Sequence, residues 1–297
     1  MREGDKVSNV AESFIRLRNG HRVWTRVIGA GPRTPLLLLH GGPGAGHDYL
    51  EPLAALADER PVVFYDQLGC GRSDIPDNPA LWTIERFADE IDEVRAALGL
   101  TRCHLLGQSW GGWLGIEYLL RQPPGIASAV LASTSSSIPE FSRACEALIA
   151  ALPEEHRVAL ETLGARGQYD HPDYLAAEES FYQRHLCRLA EWPDCMLRSV
   201  ENLHHTPVYG AINGPNEFTT TGNLRYWDRT ADLAQIDVPV LITCGRYDEL
   251  TPDCAETLRS HIPGAALRIF EASAHVAHIE ESEAYRACVA DFLRAHD

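Results

Sequence analysis

Basic residues are scarce in this 297-residue chain: 26 Lys and Arg stand against 42 Asp and Glu, a formal net charge of −16. That deficit argues against nucleic acid or an anionic membrane as partner, because both reward basic patches. Long apolar runs are missing too. The densest, Leu36 to Leu39, falls far short of the roughly 20 residues a membrane-spanning helix needs. The start, Met1-Arg2-Glu3-Gly4-Asp5-Lys6, puts charge where a secretory signal needs an apolar stretch. No Asn-x-Ser/Thr occurs, and the eight cysteines include no Cys-x-x-Cys pair, so glycosylation, a disulfide framework and a thiolate zinc site are all unsupported. The expectation is a cytoplasmic protein in which Cys103 and Cys244 are buried thiols beside strand-like runs. What is present suffices for a packed core: 45% of the residues are hydrophobic and six are Trp, which excludes a largely disordered chain.

Two periodicities alternate along the chain. Phe14-Ile15-Arg16-Leu17-Arg18 and Val23-Trp24-Thr25-Arg26-Val27 alternate polar with apolar around Asn19-Gly20, a tight-turn pair, and predict a hairpin. Continuous apolar runs follow at 36–39, 62–65, 103–106, 129–131, 240–243 and 267–270, the pattern of strands covered on both faces. Between them, Phe87, Ile91, Val94 and Leu98 share a helical face that Gly99 ends. A second helix is expected over 110–120 before Pro123-Pro124, another opens at Thr251-Pro252, and Tyr285, Val289, Phe292 and Leu293 mark the last. This alternation implies an α/β protein with a mostly parallel sheet, right-handed crossovers and helices on both faces.

From residue 137 to 235 the rhythm stops. No buried strand is evident there; helix-like patches occupy 143–152 and 175–189, and a Gly/Pro/Asn-containing stretch occupies 210–222. A structureless loop of that length does not suit a compact domain. The expectation is a mostly helical cap over the carboxyl edge of the sheet, inserted into a core formed by residues 1–136 and 236–297.

The sharpest motif is Gly107-Gln108-Ser109-Trp110-Gly111, which follows an apolar strand and opens a helix. Gly-x-Ser-x-Gly in that setting is the nucleophile elbow of α/β-hydrolases: small neighbours permit a tight turn that exposes the serine oxygen. A serine hydroxyl needs a base, and the base needs an orienting acid, in the chain order serine, acid, histidine for this fold. The run 240–243 leads into Gly245-Arg246-Tyr247-Asp248-Glu249, and the run 267–270 leads into Glu271-Ala272-Ser273-Ala274-His275. Ser109, Asp248 and His275 satisfy the order; Glu249 remains an alternative acid and His278 an alternative base. Oxyanion donors are expected at the N–H groups of Trp110 and of Gly42, within His40-Gly41-Gly42-Pro43-Gly44 after the first parallel strand. No Gly-Lys-Ser/Thr follows that loop, which disfavours phosphate binding. His204-His205 and His275-x-x-His278 lack a helical Glu or a third ligand, so no metal site is expected.

Taken together, His40-Gly41-Gly42-Pro43-Gly44, Asp66-Gln67-Leu68-Gly69-Cys70-Gly71-Arg72-Ser73-Asp74, Gly107-Gln108-Ser109-Trp110-Gly111-Gly112 and Gly245-Arg246-Tyr247-Asp248 resemble the proline iminopeptidases, α/β-hydrolase aminopeptidases that remove an N-terminal residue. Gly214-Pro215-Asn216-Glu217-Phe218 and Trp227-Asp228-Arg229-Thr230 are similar to the tricorn-associated branch and to amino-acid amidases. The likeness runs from about residue 10 onward and is least in 137–202, the part expected to line the side-chain pocket. It implies a triad of Ser109, Asp248 and His275, with Gly42 and Trp110 as oxyanion donors. It further implies that Glu217 and Glu249 hold the substrate's free α-amine. Asp66 and Arg72 are expected to be loop scaffolding. The expected function is a serine exopeptidase acting on short peptides or small molecules with a free α-amine, through an acyl-enzyme and without cofactor or metal. The alternatives are an L-amino-acid amide or ester hydrolase with the same triad and a non-catalytic receptor on the same scaffold. Epoxide hydrolase and dehalogenase chemistries need a carboxylate at the elbow, where this chain has serine.

Overall fold

Apolar runs too short for helices become strands here. The computed structural model describes residues 9–297; the charged start at residues 1–6 lies outside them. Strands β1 (Val10–Arg16) and β2 (Arg22–Ile28) form the expected hairpin, pairing Arg16 with Arg22 across the Asn19-Gly20 turn. They are followed by β3 (Leu36–Leu39), β4 (Val62–Tyr65), β5 (Cys103–Gln108), β6 (Ile126–Ala132), β7 (Val240–Gly245) and β8 (Ala266–Phe270). Every residue of β3 to β7 is buried, whereas the edge strands β1 and β8 alternate or face outward. The eight strands lie in the order β1-β2-β4-β3-β5-β6-β7-β8, parallel from β4 onward.

Helices α1 (Ile84–Ala97), α2 (Trp110–Leu119), α3 (Ile138–Ala150), α4 (Glu154–Gly164), α5 (Pro172–His185), α6 (Asp194–His205), α7 (Val208–Ile212), α8 (Pro252–His261), α9 (Ala277–Glu280) and α10 (Ser282–Ala295) complete the described chain with three 3₁₀ segments. Alternate residues of each central strand feed opposite faces of the sheet. Leu37, Leu39, Val63 and Leu105 pack with Phe87, Ile91, Val94 and Leu114 of α1 and α2. Leu36, Leu38, Val62 and Leu106 pack with Tyr285, Val289 and Leu293 of α10. No helix among the described residues is long and apolar enough to cross a membrane, and all eight cysteines are free thiols.

The sequence pattern missed one crossover. Between β3 and β4 the chain forms a 3₁₀ helix, Asp48–Asp58, with Pro52 inside it. Its buried Leu50, Leu53 and Leu56 recur every third residue, the period of a 3₁₀ turn rather than of an α-helix. In the insertion, helices start earlier than the apolar patches suggest, because start signals outrank periodicity. Ser137 caps α3 through the Glu140 N–H, and His171 followed by Pro172 opens α5.

Between β6 and β7 stand α3 to α7 and a 3₁₀ turn, Thr230–Gln235. Both ends of this insertion are stitched to each other and to the sheet. Ser137 and Asp228 form an isolated bridge, and the Ser137 hydroxyl donates to Asp228 Oδ2 at 2.9 Å. Arg229 grips Glu117 of α2 with two hydrogen bonds of 2.9 and 3.1 Å, and Trp227 Nε1 donates to the same carboxylate at 3.2 Å. The Trp-Asp-Arg-Thr motif is thus a docking device. Since the Glu117 side chain is only 10% exposed, Arg229→Met is expected to cost about 1–3 kcal/mol by leaving a largely buried carboxylate short of donors. A urea-unfolding midpoint unchanged from wild type would show that the pair contributes no net stability.

Candidate active site

Ser109 follows β5 and precedes the first turn of α2 with φ 57° and ψ −123°, a left-handed conformation that costs a non-glycine residue about 1–3 kcal/mol. The surroundings hold it there. Its N–H donates to the Ala132 carbonyl at 3.0 Å, and the Thr134 hydroxyl donates to its carbonyl at 3.0 Å. The turn is so tight that a Cβ on Gly111 would lie 2.0 Å from the Leu39 carbonyl oxygen, so the last glycine of the motif is a steric necessity. At the start of α2 the N–H groups have no intrahelical acceptor, which leaves that of Trp110 directed by the elbow itself.

Asp248 and His275, the expected acid and base, follow neighbouring strands. After β7 the chain turns through Gly245 to Asp248, whose Oδ1 accepts from the Leu250 N–H at 2.9 Å and from His275 Nδ1 at 2.8 Å. Both residues are almost fully buried. The base loop is docked onto the insertion as well: the His275 N–H donates to the Leu186 carbonyl at 3.2 Å, and the Glu249 N–H to the His185 carbonyl at 3.2 Å. Of the alternatives, Glu249 lies on the opposite side of the ring, with Oε1 3.9 Å from His275 Nε2. His278 turns away: its Nε2 donates to the Tyr49 carbonyl at 3.1 Å, and burial lowers its pKa to about 4.

The glycine loop after β3 is pinned from several directions. Gln67 donates its side-chain amide to the His40 carbonyl at 2.9 Å and its N–H to His40 Nε2 at 3.0 Å, while Trp110 Nε1 donates to Gln67 Oε1 at 2.8 Å. Burial lowers the His40 pKa to about 4, so this imidazole serves as a neutral strut. Asp66 accepts from the His47 N–H, from His47 Nδ1 and from the Arg72 N–H at 2.7–2.9 Å, which accounts for the acid in that loop as scaffolding.

Glu217 approaches from the insertion. Its Oε1 accepts from the Tyr209 hydroxyl at 2.8 Å, and its N–H donates to the Tyr182 hydroxyl at 3.5 Å. Glu249 is 1% exposed, and its Oε2 has no hydrogen-bond partner among the described residues. Burial pushes the pKa of Glu217 up against the opposing influence of Tyr209 and His275. Burial also holds Glu249 well above the usual carboxylate range, reinforced by Glu217 and Asp248 and opposed by His275. For His275 itself, burial disfavours charge, but Asp248, Glu249 and Glu217 outweigh it and raise the imidazole to about 9.

Ser109, His275, Gly42 and Glu217 line one cavity of about 60 Å³, with Leu186, Met196, Val200 and Leu203 as its apolar wall. Leu186, Val200, Leu203 and Glu217 also border a larger cavity of about 450 Å³. Residues 137–202 were expected to line the pocket, and Leu186, Met196 and Val200 come from that stretch, but sequence reasoning named none of these side chains and missed Tyr209, Tyr182 and Tyr49. His47, Asp48 and Glu51 bring donor atoms within 4.8 Å of one another. Arg198 already occupies that spot, binding Asp48 at 2.8 Å and Glu51 at 2.5 Å.

Residues 34–282 match the α/β hydrolase fold family. With serine at the elbow, the fold defines a serine hydrolase of that class. The chain is 40% identical over 284 residues to the proline iminopeptidase of Lactobacillus helveticus, covering 94% of this chain and 96% of that one. It is 42% identical over 295 residues to the proline iminopeptidase of Levilactobacillus brevis, covering 97% and 98%. The crystal structure of the Mycobacterium smegmatis proline iminopeptidase superposes with a TM-score of 0.91 at 40% identity, covering 96% of this chain and 98% of that one. The chain belongs to the proline iminopeptidase family.

The charges around His275 set an expected pH dependence. A base must be neutral, so hydrolysis of an N-blocked ester is expected to rise with pH until about 9, where His275 loses its proton. An ammonium bound beside Glu217 and Glu249 opposes the imidazolium, so the acid limb of kcat for a free-amine ester should lie roughly 1–3 pH units lower. Superimposable limbs for the two esters would contradict an amine site at these acids.

Proposed function

We propose that this protein is a serine exopeptidase that releases an N-terminal proline, or another small apolar residue, from short peptides. The observation that carries the reading is a buried carboxylate with an orphaned oxygen, Glu249 Oε2, whose other oxygen lies 3.9 Å from His275 Nε2, together with a half-buried carboxylate, Glu217, that lines the same cavity as His275. Paired acids in a closed apolar site are costly unless a cation meets them. The α-ammonium group of an unblocked substrate supplies that cation, and its hydrogen-bond donors match the free carboxylate oxygen.

The mechanism follows from the roles assigned. Ser109 Oγ attacks the carbonyl carbon of the first residue while His275 Nε2 takes its proton, with Asp248 holding Nδ1–H and so fixing the tautomer. The N–H groups of Gly42 and Trp110 receive the developing oxyanion. The tetrahedral intermediate collapses, His275 returns the proton to the departing amine, and an aminoacyl ester remains on Ser109. Water, deprotonated by the same imidazole, then attacks the ester and frees the amino acid. The amine contacts fix how far the substrate enters, which confines cleavage to the first bond. Residues 137–235 act as a cap whose α5–α6 side walls the cavity, and the adjoining space of about 450 Å³ gives room for a short leaving peptide. Eight unpaired thiols suit the reducing cytoplasm, where we place the protein.

Ser109→Ala is expected to abolish hydrolysis, to below 10⁻³ of wild type by order of magnitude, with an unchanged circular-dichroism spectrum; retained turnover would remove Ser109 from the mechanism. Glu217→Gln should lower kcat/KM for Pro-, Ala- and Leu-arylamides by about 10–100-fold, the worth of a buried charge-assisted contact. The same variant should change an N-blocked ester by less than about 3-fold. Equal losses on both classes would make Glu217 a packing residue. Within the same panel, cleavage of amino-acid amides without cleavage of dipeptides would move the assignment to an amidase.

A further inference from the structure

The hydroxyl of Tyr49, a residue of the 3₁₀ crossover after β3, lies between the oxyanion loop and the nucleophile elbow. It accepts from the Gly41 N–H at 2.7 Å and donates to Gln108 Oε1 at 2.5 Å. The Gln108 amide continues the line, with Nε2 donating to the His275 carbonyl at 3.1 Å. Direction along this chain is forced. A phenol that accepts from a backbone N–H has its proton left for an acceptor, so Gln108 presents its oxygen to Tyr49 and its NH₂ group to residue 275. All the groups involved are buried. The packing is close enough that a Cβ on Gly41 would lie 2.9 Å from both Tyr49 Oη and Gln108 Oε1, and 3.0 Å from Ser109 Cβ.

Residue 49 is itself fixed on three other sides. Its N–H donates to Ser199 Oγ on α6 at 3.0 Å, its carbonyl accepts from His278 Nε2 at 3.1 Å, and its ring meets the His278 ring edge-on at 5.5 Å between centroids. One side chain therefore touches the segment just before Gly42 and, through Gln108, the backbone of the base, while its main chain is tied to the insertion.

We propose that Tyr49 and Gln108 are positioning residues for hydrolysis: acting in series, they hold the Gly42 oxyanion donor and the His275 base in mutual register across Ser109. The inference rests on the serine-hydrolase mechanism above; only its pyrrolidine control draws on the amine site. Without the hydroxyl, the Gly41 N–H and Gln108 Oε1 lose their partner together, and the loop bearing Gly42 is freed to shift. Because shifts of about 1 Å at a reacting centre cost up to 10²-fold, the effect should appear in kcat rather than in KM.

The test uses the full-length protein with two substrates, Pro-p-nitroanilide and p-nitrophenyl acetate; the second has no amine and requires only the nucleophile, base and oxyanion donors. Tyr49→Phe keeps the ring, and Gln108→Met keeps the length. Each is expected to lower kcat on both substrates by roughly 10–100-fold with KM within about 3-fold. The double variant should lose no more than about 2-fold beyond the worse single variant, since residues in one series are non-additive. Affinity for prolinal, an aldehyde that adds to Ser109 and forms an oxyanion, should fall with kcat, while affinity for pyrrolidine, an amine without a carbonyl, should hold. Wild-type kcat in Tyr49→Phe would overturn the proposal. So would losses that multiply in the double variant, or loss of pyrrolidine binding in parallel, since these mark general packing. If either single variant unfolds, the one that remains folded carries the kcat and prolinal comparison. A wild type active on the acetate but inert on the anilide would sink the exopeptidase reading and leave this proposal to be judged on the ester. Inertness toward both would overturn the two together.

Discussion

A serine held in left-handed backbone between a strand and a helix is the constraint on which the rest of this structure depends. The conformation of Ser109 is unfavourable in isolation and persists because its backbone is bonded on both sides, to Ala132 and by Thr134, and because Gly111 is squeezed against β3. Those contacts exist only when β3, β5 and β6 lie side by side in parallel. The apolar strands therefore do more than form a core: their register fixes the elbow to within bond distance of its neighbours, and the loops leaving β3, β7 and β8 emerge at the same edge. Stability and site geometry share the same hydrogen bonds.

Charge is the second organising element. Three carboxylates act on one imidazole: Asp248 binds His275 at 2.8 Å and also accepts from the Leu250 N–H, while Glu249 and Glu217 likewise favour the charged form of the ring. Glu249 and Glu217 are pushed toward the neutral form by burial. An arriving ammonium group reverses that balance, since its positive charge favours ionised acids and disfavours a protonated base. In the proposed reading, binding of a free-amine substrate and readiness of the base are thus coupled through electrostatics.

The parts of the site legible in the sequence are those that sit one turn beyond an apolar strand. Ser109, Asp248 and His275 each follow such a run, and chain order does the remainder, so the hairpin, the parallel strands and the three strand-end segments could be chosen from residues alone. Which of His275 and His278 faces the acid could not, because loop side chains are aimed by partners distant in sequence: the Leu186 carbonyl holds the first and the Tyr49 carbonyl receives the second. The Asp48–Asp58 crossover was invisible to a search for helical spacing because its leucines recur every third residue. Glu217 was reached through family resemblance and not through chemistry, since an acid in a polar stretch gives no local sign that a tyrosine and the site lie behind it. That residues 137–202 line the pocket followed from the resemblance, but which of their side chains form the apolar wall was not legible: an amphipathic helix announces that it buries a face, not what that face meets.

The central claim is that Ser109 carries the aminoacyl group in mid-reaction. It is tested most directly by acid-quenching the enzyme within milliseconds of mixing with proline p-nitrophenyl ester and mapping the digested protein by mass spectrometry. The expected result is one prolyl group per chain on the peptide containing Ser109, appearing in a burst and decaying as ester is exhausted. A quenched enzyme without any acyl adduct while turnover proceeds, or an adduct on a different residue, would contradict it.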